Sequence, residues 1–179
     1  MNIKLIMAAL LALSALTAQA QNDNRKTHNI GVGINRHAAD STLYSSGNLA
    51  LFGDVDTLRG AQIGAFSATV RRQMRGVNIA GIVNAVGSDM RGVQIAGVSN
   101  LLQSGNGFQV ALFNNVAGEN FRGIQLSAMS NISLGMKRGM QIGGTNICSS
   151  YMRGVQTGFY NYADTLNGSQ IGLVNVCIR

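Results

Sequence analysis

The sequence predicts an all-β fold, a parallel β-solenoid of about eight coils of about 16 residues each. Three observations lead there. The phrase Gly-apolar-Gln-apolar recurs in eight copies, from Gly60-Ala61-Gln62-Ile63 to Gly168-Ser169-Gln170-Ile171, with Asn78 standing for Gln in the second copy. Within a copy such as Val93-Gln94-Ile95, apolar and polar residues alternate with a period of two, which marks a strand. An Asn then follows, giving the column Asn84, Asn100, Asn115, Asn131, Asn146, Asn161 and Asn175. A unit this short cannot bury its own apolar face, so neighbouring copies must supply the core.

Residues 1–20 read as a cleavable leader. Lys4 supplies the positive start, residues 5–13 the apolar stretch, and Ala18-Gln19-Ala20 a small-x-small cleavage site. The apolar run is too short for a stable membrane span. No Cys follows the cleavage site, so a lipid-anchored route is not predicted. The expectation is an exported Gram-negative protein of the periplasm, outer membrane or cell surface. Residues 21–46 lack the phrase and read as a polar linker followed by an N-terminal cap over the first rung. The repeat domain spans 47–179, with residues 47–52 as a degenerate first coil. The chain stops in mid-repeat beyond Asn175, and this last rung is expected to self-associate or to be guarded by charge.

The offset from the leading Gly to the Asn shortens by one residue between Gly92…Asn100 and Gly154…Asn161. An extra residue inside a strand would throw every later side chain to the other face, so the slip belongs at a corner. Each unit is therefore a strand, a bend, a second short strand ending at Asn, and a Gly-led return. In-register stacking predicts a structural ladder of amides through Gln62, Asn78, Gln94, Gln109, Gln125, Gln141, Gln156 and Gln170. The interior is expected to hold the aliphatic column Ile63, Ile79, Ile95, Val110, Leu126, Ile142 and Ile171, broken by Thr157. A second column of Met74, Met90, Phe121, Met152 and Leu166 is broken by Lys137.

The competing architecture is an antiparallel outer-membrane β-barrel acting as a small pore or anchor, which also alternates apolar and polar residues. Trp is absent, the few aromatic residues do not recur at strand ends, and the last residue is Arg179. Antiparallel neighbours would also give a recurring column no reason to persist.

The phrase Gly-apolar-Gln-apolar-Gly-apolar-apolar-Asn, clearest in Gly168-Ser169-Gln170-Ile171-Gly172-Leu173-Val174-Asn175, resembles the short repeats of exported bacterial surface-repeat proteins. The resemblance covers residues 59–179 and implies export and an envelope or surface location. It brings no activity or ligand with it. Some members of that class are lipoproteins, and the missing lipid-attachment Cys departs from them.

The chain carries 14 basic and 7 acidic side chains, for a formal charge of +7. For an exported protein, anionic glycans or lipid head groups are better partners than nucleic acid. A basic column precedes the leading Gly: Arg59, Arg75, Arg91, Arg122, Arg138 and Arg153, with Asn106 and Asn167 in the gaps. Guanidinium forks suit sulfate, carboxylate and phosphate, which makes these six the candidate anion-binding residues. The plainer role of such a column is a solvated edge that discourages aggregation. His28 and His37 fall in the cap, and His37 with Asp40 has no nucleophile at a signature spacing. Asp54-x-Asp56 is expected in a solvated turn. Cys148 and Cys177 fall two rungs apart, beyond disulfide reach, and are expected to be free thiols. No enzyme, metal or cofactor motif is present in the sequence.

Overall fold

The computed structural model describes residues 26–35 and 42–179. The predicted leader, His37 and Asp40 lie outside the described residues. The strands are β1 (Lys26–Asn35), β2 (Thr42–Ala80), β3 (Val83–Ala96), β4 (Ser99–Ala111), β5 (Asn114–Ala117) and β6 (Phe121–Ser127). They continue as β7 (Ser130–Ser133), β8 (Met136–Ile142), β9 (Thr145–Thr157), β10 (Tyr160–Ile171) and β11 (Val174–Cys177). Every pairing between these strands is parallel.

Like residues lie beside like. Gly92 neighbours Gly76 and Gly107, Gln109 neighbours Gln94 and Gln125, and Asn115 neighbours Asn100 and Asn131. The chain therefore winds as a β-solenoid of about seven turns, and the antiparallel barrel is set aside. The segment expected to cap the stack supplies β1, which pairs in parallel with the start of β2 and so adds a rung.

The bends follow from glycine. The leading Gly of seven copies has a φ between 136° and 156°, a region that residues with a Cβ rarely adopt. A Cβ on Gly123 would lie 1.8 Å from the carbonyl oxygen of Gly107, one rung away. The second bend of each coil falls at pairs such as Gly97-Val98 and Leu112-Phe113. There the repeat length changes: Gly143-Gly144 replaces a longer corner, while Leu126 and Ile142 on one side, and Ser130 and Thr145 on the other, stay paired. The slip is at a corner, as the spacing predicts.

Along the Gln strand the interior is the reverse of the expectation, whereas the Met74, Met90, Phe121 and Met152 column is buried as expected. Gln62, Asn78, Gln94, Gln109, Gln125, Gln141 and Gln156 are fully buried, and so are Asn84 to Asn161 of the Asn column. The aliphatic column faces outward: Ile63 is 44 % exposed, Leu126 42 % and Ile171 60 %. In a strand with alternating faces, choosing one column for the inside sends its neighbours out. The choice falls on the amides because, from Gln94 onward, they find partners along the stack, and a buried polar group that is bonded no longer opposes burial. Thr157 is then no anomaly, since it sits on the outer face.

The apolar core lies further round the coil and contains Leu58, Met74, Met90, Phe121, Met136 and Met152, with Val70, Val86, Leu102, Ala117, Cys148 and Ala163. The column is not broken at position 137, because a register shift places Met136 opposite both Phe121 and Met152. Gly105 pairs with Met90 and adds no side chain there; the largest buried side chain, Phe121, follows on the next rung. Unbranched methionines suit such a site because they adapt to irregular gaps.

Candidate functional site

Two amide ladders run through the interior in opposite senses. In the Gln ladder each later coil donates to the earlier one: Gln109 Nε2 to Gln94 Oε1 at 2.9 Å, Gln125 to Gln109 at 2.9 Å, and Gln141 to Gln125 at 2.8 Å. Gln156 and Gln170 continue it at 2.8 and 2.7 Å. In the Asn ladder each earlier coil donates to the later one, from Asn84 to Asn175, at 2.8–3.0 Å.

Each Asn also closes a corner. The Nδ2 groups of Asn84, Asn100, Asn115 and Asn131 donate to the carbonyls of Ile95, Val110, Leu126 and Ile142, all at 2.7 Å. These carbonyls stand just before the second bend, where the regular sheet pattern is interrupted. The Gln side chains reach across instead: Gln156 donates to the Tyr162 carbonyl and Gln170 to that of Val176, both at 3.0 Å. The predicted structural ladder is thus present from Gln94 onward, and its role is to tie strands together within the core.

The ladder fails at its beginning. Neither side-chain atom of Gln62 has a partner, nor does Asn78 Oδ1. Asn78 Nδ2 bonds the Ala68 carbonyl at 3.2 Å. Ala68 occupies the rung before Asn84 in the Asn column, and Asn84 Oδ1 is accordingly unpartnered.

The outer surface is divided by chemistry. Arg59, Arg75, Arg91, Arg122, Arg138 and Arg153 are all exposed and form two runs of three, parted by the coil that carries Asn106. Arg75 pairs with Arg91, Arg122 with Arg138, and Asn106 and Asn167 occupy the same line. Arg91 lies 3.8 Å from Asp89, both well exposed, a contact worth little in water.

Beginning two residues past this line lies an apolar face. Its first outward column is Ala61, Val77, Val93, Phe108, Ile124, Met140, Val155 and Ser169, and its second is the Ile63 to Ile171 column. Exposed Phe66, Ile82, Val98, Phe113, Met129, Phe159 and Leu173 extend it around the bend. Phe52 stacks on Phe66 with ring centroids 5.2 Å apart, carrying the strip onto an earlier coil. Sequence reasoning missed this face because it placed the aliphatic column inside. A signal was available: the outward column tolerates Ala, Phe and Ser, whereas the inward column holds Gln or Asn throughout.

The remaining residues gather no chemistry. Among the described residues no group of three or more His, Cys, Asp or Glu could hold a metal ion. Asp54 does not stand in a solvated turn; it receives hydrogen bonds from Arg71 Nε and Nη2. That bond outweighs desolvation and raises the Arg71 guanidinium above its usual range. Asp56 is buried rather than solvated. Cys148 is buried, Cys177 exposed, and both are free thiols, separated by the Ala163 rung. No helix among the described residues is long and apolar enough to cross a membrane. The chain matches no family model, no curated protein and no solved structure.

Proposed function

We propose that this chain is a non-enzymatic, exported repeat protein of the bacterial envelope, a member of the surface-repeat class its phrase resembles. Its role is structural or adhesive, and it binds anionic groups of glycans or lipid heads along the arginine edge. The observation that carries this reading is the line of exposed arginines, stacked rung on rung on either side of Asn106. Like charges about one rung apart repel unless anions or solvent screen them, so a multivalent anion relieves a cost already present in the fold. Planar guanidinium forks match sulfate, carboxylate and phosphate oxygens.

The test is retention on an immobilised polyanion such as dextran sulfate. Replacing Arg91, Arg122 and Arg138 by Gln should lower the eluting salt concentration and flatten the salt dependence, since fewer counterions are released. Unchanged retention and unchanged slope would remove the anion-binding role.

A further inference from the structure

We infer that the apolar outer face and the arginine edge together form one membrane-seating surface, which docks on the headgroup region of an anionic lipid leaflet. This rests on the envelope reading above and commits it to one partner. The face is continuous because it is built from the same positions of successive coils. Eight rungs span seven spacings of about 4.8 Å, and about five residues of extended chain lie across them, for an area on the order of 500 Å². That is the size of the largest apolar patch on a typical soluble monomer, and such patches are often functional.

The distribution of charge identifies the occupant. No Asp, Glu, Lys or Arg occurs in the stretches that build the face, such as 93–98, 108–113 and 124–129. From Asp54 to Asp164 every charged residue falls instead in the segments between the second strand and the next leading Gly, as in 117–122 and 148–153. The rod therefore has an uncharged apolar side and a charged side, and the line where they meet is occupied by arginines. An amphipathic surface bordered by cations is the arrangement that inserts apolar side chains at the acyl boundary while the cations hold phosphate head groups. A second copy of the chain would cover the apolar face too, but it would bring its own basic edge rather than an anion to meet the arginines. A shallow apolar groove of about 370 Å³ opens in the face where the Gly143-Gly144 corner is one residue short, flanked by Phe159, Ile171 and Leu173. It gives an acyl chain a place to lie.

The experiment uses the full chain and vesicles of phosphatidylcholine, with and without about one-third phosphatidylglycerol. The sequence has no Trp, so Phe108→Trp introduces a single reporter on the outer face. Anionic vesicles should shift its emission to the blue, and brominated acyl chains should quench it; neutral vesicles should bind more weakly. Leu112, Phe159 and Leu173 are exposed and lie at bends outside the core, where substitutions cost little stability. Replacing all three by Asn should leave the melting temperature unchanged and weaken vesicle binding roughly tenfold or more. Absence of any blue shift, or equal binding by the triple variant, overturns the proposal. A concentration-dependent dimer with no vesicle binding does so as well, and assigns the face to a second copy. Polyanion retention that depends on the arginines and persists without vesicle binding would leave the anion-binding reading standing and sink this one alone. Loss of both would remove both.

Discussion

Asn78 lies directly beside Gln94 in the sheet, one methylene shorter, and the Gln ladder stops between them. Gln94 Nε2 turns to the Leu101 carbonyl at a long 3.5 Å, and Gln62 on the preceding coil is left without partners. Asn78→Gln should let the ladder run on to Gln62. Restoring two buried hydrogen bonds is worth about 1–3 kcal/mol, read as a higher urea midpoint with an unchanged slope. A lower midpoint would mean that the shorter side chain is required by packing at that coil.

The inverted core makes a pair of neighbouring residues respond against ordinary hydrophobic intuition. Gln125 accepts from Gln141 and donates to Gln109, whereas Leu126 is 42 % exposed. Gln125→Leu adds apolar surface to the interior but leaves the Gln109 acceptor bare, at a cost of roughly 1–3 kcal/mol. Leu126→Thr removes apolar surface from the outside and should cost less than about 1 kcal/mol. Denaturant titration of the two variants measures both; the opposite ranking would place the aliphatic column inside.

Glycines divide into those that the stack demands and those that it tolerates. Gly123 has a φ of 144° and no room for a Cβ against Gly107, while a Cβ on Gly135 would meet nothing closer than 3.8 Å. Gly123→Ala should destabilise by roughly 3 kcal/mol or more, from strain and displaced backbone together. Gly135→Ala should be nearly neutral, within about 1 kcal/mol. Thermal melts of the two proteins suffice to compare them.

Tyr162 donates its phenolic hydrogen to Asp164 at 2.6 Å. That bond holds the protonated phenol and raises its pKa above the ordinary 10.0. With the folded value raised, its contribution to stability is full below pH 10.0 and is lost as pH climbs through the folded value. Absorbance titration near 295 nm should show a tyrosine component ionising above pH 10.0, and Asp164→Asn should move that component down. A wild-type curve with no late component would contradict the hydrogen bond.

The winding, the register and the corner slip were legible in the sequence because each leaves a periodic trace. Gly76, Gly92 and Gly107 recur at the spacing of one turn, and the shortened corner at Gly143-Gly144 shows as a changed distance to Asn146. The sense of the faces was not legible from hydropathy. Alternation through Ile124-Gln125-Leu126 says that two faces exist but not which is inside, and amides that partner their own copies reverse the usual answer. Constancy was the better guide: inward Gln94, Gln109 and Gln125 must match the rung above, while outward Val93, Phe108 and Ile124 need not. The arginine edge was readable as a column, but its neighbour across the leading Gly was not. Recognising Val93 and Ile95 as surface is what turns a charged line into the border of an apolar plane.

The opposed directions of the two amide ladders have an effect on the molecule as a whole. A single file of aligned side-chain amides would add its dipoles rung by rung, so each extra turn would deepen the electric asymmetry between the two tips. Here, from Gln109 to Asn161, each turn contributes one amide pointing toward the start of the chain and one toward its finish, and their axial moments largely cancel. Turns can therefore be gained or lost by duplication or deletion of the gene segment without building up a field along the axis.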